Sequence, residues 1–329
     1  MCLTTRMKIA PFLAAVALSF GVFGAYAGLA QASNAEVVPN TLANAPTLSA
    51  PTQGLRVFHL GHSLVGRDMP AMLMQLAHAA GFSEHHYASQ LGWGTSLQAH
   101  WEGGVEIGGY DCENNHPHFR PAHEAIESGD YDTFILTEMV ELRDAIRWHQ
   151  SPEYLRRWAE AAQLARPDVR VYLYETWHDL ANPDGWLPRL ERDPTELWAR
   201  ELLDIVWANP DLGPVHVVPA TQVLAAVTRA MEAGQTAPGL QRPEDLFLRN
   251  PDGTLDTIHF NDQGNYLIAL VHFATLYHQP VTGLPFALKL ANGTAADAPD
   301  QGAAALMQRI VDEVMQHTPH TGLPIGPTE

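Results

Sequence analysis

The sequence predicts an α/β fold, a three-layer α/β/α sandwich with a mainly parallel five-stranded sheet. Three observations carry that expectation. Short apolar, β-rich runs alternate with longer stretches of helical periodicity. The spacing between the runs leaves room for the helical crossovers that parallel strands need, and helices on both faces then bury the sheet. No internal repeat and no second linker interrupts the pattern, so one domain is expected. In chain order, strands are expected at 55–60, 86–89, 133–137, 169–175 and 215–218. Helical candidates lie near 68–80, 120–128, 152–165, 195–208 and 220–232, followed by 262–278 and 301–316. In the helix near 262–278, Tyr266, Leu267, Leu270, Phe273 and Leu276 recur at core-facing spacing.

Three irregular stretches separate these elements. Residues 90–119 are rich in Gly, His and Asn, 176–194 in Trp, Pro and Asp, and 234–255 contain Pro and Gly. Ligands of open α/β sheets bind where loops leave the carboxyl ends of the strands, which makes these stretches candidate walls of a site. Ordinary insertions accumulate in the same places.

Composition narrows the function. The chain has 329 residues, 46% of them apolar, which supports a sizeable core and excludes a wholly disordered protein. A formal charge of −18 argues against nucleic-acid binding, because phosphate contacts need clustered Lys and Arg. Two cysteines exclude a disulfide scaffold and a multi-cysteine metal site.

The N-terminus reads as an export signal over residues 1–32. Arg6 and Lys8 precede an uncharged apolar run, and Ala30-Gln31-Ala32 fits a cleavage site, with Ala25-Tyr26-Ala27 next. Pro11 and the small-residue exit favour cleavage over an uncleaved anchor, and no later segment is long and apolar enough to cross a membrane. A soluble mature protein, periplasmic or secreted, is therefore expected. Cleavage removes Cys2 and leaves Cys112 without a cysteine in the same chain to pair with. Residues 33–53 have linker composition, 54–318 form the expected domain, and 319–329 a C-terminal tail.

The sharpest chemical signal is Val57-Phe58-His59-Leu60-Gly61-His62-Ser63-Leu64-Val65-Gly66. An apolar strand ends at Gly61, a hydroxyl follows two positions later, and a helix starts near Asp68. Such a turn presents Ser63 at the carboxyl edge of the sheet, beside helix N–H groups suited to a developing oxyanion. A serine that merely caps a helix would look the same. The second signal is Leu255-Asp256-Thr257-Ile258-His259-Phe260-Asn261, placed in a loop before a helix capped by Asn261 or Asp262. A nucleophilic serine needs a base, and the base needs an acid that fixes its tautomer.

Together the two segments resemble the SGNH hydrolases, also called GDSL-type esterases and lipases. Gly61-His62-Ser63-Leu64 with Gly66 corresponds to the family's first block, and Asp256-Thr257-Ile258-His259 to its last. The resemblance spans roughly residues 55–278. It implies the α/β/α sandwich, Ser63 as nucleophile, His259 as general base and Asp256 as its orienting acid, with no cofactor and no metal. It also implies an oxyanion hole made by the N–H groups of Ser63 and Gly94, with Gly92 the alternative to Gly94. The family's third block, Gly-x-Asn-Asp, is missing: the third strand ends Ile135-Leu136-Thr137-Glu138-Met139. An ionised Glu138 accepts hydrogen bonds and donates none. Three accounts stay open: a protonated Glu138, a donor such as Asn114 or Asn115, or an oxyanion held by backbone N–H groups alone.

Three further groups have two readings each. Cys112, His116, His118 and His123 are metal-ligating types, but their spacing matches no common zinc pattern, and a histidine-rich loop accounts for them equally. Trp177 and Trp186 either contact a sugar or acyl group or are buried under their own loop, and Glu138 is a third candidate substrate contact. Arg143, Arg147, Arg156 and Arg157 either bind an acidic substrate or partner surface carboxylates.

The expected function is an exported serine ester hydrolase working through an acyl-enzyme, an O-acyl (acetyl) esterase on carbohydrate or small esters. An acyltransferase with the same triad, or a carbohydrate-binding protein on a decayed scaffold, are the alternatives. No apolar lid of the kind a lipase needs is evident.

Overall fold

The computed structural model describes residues 46–104 and 106–324. The expected signal peptide, its cleavage site and residues 33–45 of the expected linker lie outside the described residues, as do residues 325–329.

The elements follow in chain order. They begin with β1 (Arg56–His62), α1 (Asp68–Ala79), β2 (His86–Gly92), α2 (Leu97–Glu102), α3 (Tyr110–Glu113), α4 (Ala122–Glu127) and β3 (Thr133–Leu136). Next come α5 (Leu142–Trp148), α6 (Ser151–Ala165), β4 (Arg170–Tyr174) and α7 (Trp186–Asp193). A π-helical stretch Pro194–Leu203 continues α7 into α8 (Asp204–Trp207). The chain closes with β5 (Val215–Val218), α9 (Ala220–Glu232), a 3-10 turn Pro243–Leu246, β6 (Phe247–Arg249), β7 (Leu255–Phe260), α10 (Asp262–Tyr277) and α11 (Gln301–Met315).

Five strands make one parallel sheet in the order β2-β1-β3-β4-β5. Successive side chains alternate between its faces, and both faces are buried. Phe58, Leu60, Phe134, Leu136, Val171 and Leu173 enter one core, covered by α4, α6 and the π-helical stretch. Val57, Ile135, Tyr172, Tyr174 and Val218 enter the other, filled by α1, α9, α10 and α11. This double burial explains why apolar residues stand side by side along the strands, as in Val57-Phe58, Phe134-Ile135-Leu136 and Val217-Val218. The sandwich and the five-stranded sheet agree with the sequence expectation.

Three local features differ from it. Residues 90–119 contain the short helices α2 and α3, too brief to leave a helical period. The segment around Asp256 is a strand, β7, antiparallel to β6, and not a loop. The helix expected at 195–208 begins as a π-helix. Near the two ends of the described residues, the Leu48 N–H donates to the Gly322 carbonyl and the Val217 N–H to the His320 carbonyl.

Seven buried histidines, His59, His62, His85, His100, His178, His216 and His272, shape the response to acid. Burial lowers His59 well below its ordinary value, His85 to about 3, and the other five to about 4. Between pH 6.5 and these values the unfolded chain binds protons that the folded chain refuses, so stability falls as pH drops through that window. Buried Glu138 and Glu175, raised to about 7 and about 8, act the opposite way: they stay protonated when folded and gain stability as pH falls toward 4.5. The histidines outnumber them, and ion-paired carboxylates such as Glu153, lowered to about 2, add to the acid loss. Thermal unfolding of the purified chain is therefore expected to give a lower Tm at pH 4.5 than at pH 7. An equal or higher Tm at pH 4.5 would remove this account of the core.

Candidate active site

β1 leaves the sheet at His62, turns through residues 63–67 and enters α1. Two glycines make the turn possible. A Cβ on Gly61 would come within 2.7 Å of the Thr137 Cβ and 2.9 Å of a Val65 methyl, so only glycine allows β1 this close to the end of β3. Gly66 takes φ +58°, and the N–H groups of Val65 and Gly66 donate to the His62 carbonyl at 2.9 and 3.2 Å. The buried His62 ring braces the same turn. Its Nδ1 accepts from the Leu64 N–H at 3.3 Å, so its Nε2 carries the proton and donates to the Glu138 carbonyl at 2.8 Å. Burial lowers its pKa to about 4, opposed by that carbonyl and assisted by the nearby His259, which fits a neutral ring.

The facing wall is built on β7. Asp256 Oδ1 accepts from the N–H groups of Ile258 and His259, both at 2.9 Å, and Oδ2 accepts from His259 Nδ1 at 2.9 Å. Burial pushes the Asp256 carboxyl up, but those N–H groups and the imidazole outweigh it and hold it below the ordinary carboxylate value. With Nδ1–H committed to Asp256, His259 Nε2 is an acceptor, and Ser63 Oγ lies 2.9 Å from it. β7 is fastened to the loop after β4: the Trp177 indole donates to the Ile258 carbonyl at 2.7 Å, and the Leu180 N–H to the Thr257 carbonyl at 2.8 Å.

Ser63 and His259 open into a cavity of about 230 Å³, walled also by Arg67, Asp68, Glu113, Trp177, Phe260 and Asn265. The structure thus brings together Ser63, His259 and Asp256, residues 196 apart at the extreme, in one hydrogen-bonded chain. Trp177 reaches the cavity as a wall that is 2% exposed, its ring stacked on Phe260 at 3.9 Å.

Other expected residues stand elsewhere. Trp186 does not line the cavity; it is buried between His178 and Phe247, with its indole donating to the Thr228 hydroxyl. Glu138 is fully buried beneath the site and does not line it. Its Oε1 accepts from the N–H groups of Met139 at 2.7 Å and Leu97 at 3.3 Å, which ties the end of β3 to the start of α2. Burial raises its pKa to about 7 against those hydrogen bonds. Asn114 spends its amide on Leu91 and Tyr110 backbone, so it is not a spare oxyanion donor. Gly94, at φ +54°, lies in the turn after β2, whose last residue Gly92 pairs with His62. No backbone hydrogen bond of the described residues uses the N–H of Ser63 or of Gly94.

Among the described residues, no three His, Cys, Asp or Glu side chains are grouped as a metal site. His118 and His123 instead bond the Tyr87 and Trp101 carbonyls. Cys112 is not a free thiol, and the expectation that it has no partner turns on Cys2, which lies outside the described residues. Arg143, Arg156 and Arg157 pair with Asp184, Glu153 and Glu160 at the surface, and Arg147 covers the Trp148 ring. Sequence reasoning missed Arg67, Glu113 and Asn265. Only Arg67 carried a signal, a cation in the turn that follows Ser63.

The tie from Glu138 to α2 has a measurable consequence. Glu138→Ala strands the buried N–H groups of Leu97 and Met139 and is expected to cost about 1–3 kcal/mol. Glu138→Gln keeps an accepting oxygen and is expected to hold its Tm close to that of the wild type. Calorimetry of both variants checks the pair, and equal losses would contradict it.

No protein-family model and no curated protein matches the sequence. Among solved structures, a carbohydrate esterase family 3 protein from Talaromyces cellulolyticus matches at 14% identity and a TM-score of 0.40, over 68% of this chain and 97% of its own. A mutant acetyl esterase with acetate ion matches at 15% identity and a TM-score of 0.38, over 68% and 97%. The Clostridium thermocellum family 3 carbohydrate esterase matches at 10% identity and a TM-score of 0.34, over 67% and 94%. Likenesses this distant say nothing of the reaction.

Proposed function

We propose that this chain is an exported serine ester hydrolase of the SGNH type that releases short acyl groups, acetyl above all, from carbohydrate or other small esters. The observation that carries the reading is the hydrogen-bonded chain from Ser63 through His259 to Asp256, opening into a cavity. Ser63 Oγ attacks the ester carbonyl while His259 Nε2 takes its proton. Asp256 holds the Nδ1 proton and stabilises the imidazolium that forms. The N–H groups of Ser63 and Gly94 receive the oxyanion, with no side-chain donor from β3. The imidazolium returns the proton to the leaving alcohol, and water activated by His259 then frees the acid and restores Ser63.

The size of the cavity favours a short acyl group. At about 230 Å³ it is smaller than the roughly 300–1,000 Å³ that encloses a drug-sized ligand, so most of a sugar alcohol would stand outside it. Among the described residues no helix is long and apolar enough to cross a membrane. The test is acetate release from acetylated oligosaccharides and aryl acetates, followed against aryl esters of longer acids. Turnover that declines with acyl length supports the reading. Absence of turnover on every ester would refute it, and transfer to an added sugar in place of water would make the chain an acyltransferase.

A further inference from the structure

Among the described residues, the cavity beside Ser63 holds one cation, Arg67. Arg67 sits in the turn between Ser63 and α1, is half-buried, and lines the cavity with Ser63 and His259. Most half-buried arginines of this chain are matched: Arg120 meets Asp130 at 3.0 Å and Arg166 meets Asp132 at 2.7 Å. Among the described residues the Arg67 guanidinium has no hydrogen-bond or ion-pair partner. The two carboxylates of the same cavity are engaged elsewhere, Asp68 with the Ala291 N–H at 2.8 Å and Glu113 with the Trp93 indole at 2.8 Å. A guanidinium offers five donors in a planar fork that fits a carboxylate, and its attraction strengthens where water is partly excluded.

We propose that Arg67 binds a carboxylate on the ester substrate, so that this site selects acidic esters over their neutral counterparts. The inference rests on the ester-hydrolase reading and adds the substrate's charge to it. The carboxylate has two sources, an acidic alcohol such as a uronic sugar or a dicarboxylic acyl group, and Arg67 serves either through the same fork.

Two substrate pairs separate the sources. 4-Acetoxybenzoate against methyl 4-acetoxybenzoate places the charge on the alcohol; phenyl hydrogen succinate against phenyl methyl succinate places it on the acyl group. The kcat/KM ratio of acidic to neutral ester is read for wild type, Arg67→Gln and Arg67→Lys at low salt, after subtraction of the uncatalysed rate. Because leaving-group differences cancel between enzymes, the comparison of ratios isolates the charge. The expected result is a ratio about tenfold higher in wild type than in Arg67→Gln for at least one pair, as one charge-assisted contact provides, with Arg67→Lys between them. Equal ratios in wild type and Arg67→Gln for both pairs would overturn the proposal while leaving the hydrolase reading intact. No turnover of any of the four esters by wild type would overturn both.

Discussion

Ser63→Ala is expected to lower ester turnover by about 10⁵-fold or more, the scale on which loss of a triad nucleophile is felt. The folded structure should not notice. Among the described residues Ser63 Oγ hydrogen-bonds His259 alone, and the turn around it is held by Gly61, Gly66 and the buried His62 ring. Steady-state rates on an aryl acetate, with Tm measured on the same samples, check both halves. A fully active, folded Ser63→Ala would end the mechanism.

The next largest effect is expected from Asp256→Asn, about 10⁴-fold in kcat. The loss comes from the wrong imidazole tautomer. Asp256 Oδ1 is occupied by the N–H groups of Ile258 and His259, which leaves Oδ2 to accept the proton on His259 Nδ1. In the Asn variant the oxygen keeps the two backbone partners, and the amide NH₂ faces Nδ1. The imidazole then turns over its proton assignment, Nε2 becomes a donor, and it can no longer take the proton of Ser63. The fold should persist, because the oxygen that holds β7 in place is conserved. Kinetics with circular dichroism on this variant decide it; a rate within tenfold of wild type would show that Asp256 does not orient the base.

How much of this could be read from the sequence depends on range. The five strands were legible because burial on both faces fills runs such as Phe134-Ile135-Leu136 with consecutive apolar residues, a signal that needs no neighbour. Ser63 stood out because its turn is encoded locally by Gly61 and Gly66. Asp256 and His259 were legible as a pair, but their strand was not. β7 has intermediate burial along most of its length and pairs only with the three-residue β6, so its pattern resembles a loop. Glu138 illustrates the converse. Its position at the end of β3 suggested substrate contact, yet its backbone partner Leu97 lies 41 residues away, and only the packed structure reveals that its carboxyl is turned inward. Trp186 left two readings open for a similar reason, since an indole at the mouth of a loop and one sealed against Phe247 look alike in sequence. Glu113 and Asn265 reach the cavity from α3 and α10, elements whose approach to Ser63 is a property of the sandwich as a whole.

The central claim is that Ser63 is an activated nucleophile. Intact-mass measurement after exposure to a fluorophosphonate, on wild type and Ser63→Ala in parallel, tests it most directly. The account predicts a single adduct on wild type and none on Ser63→Ala. No adduct on wild type, or the same adduct on both, would contradict it.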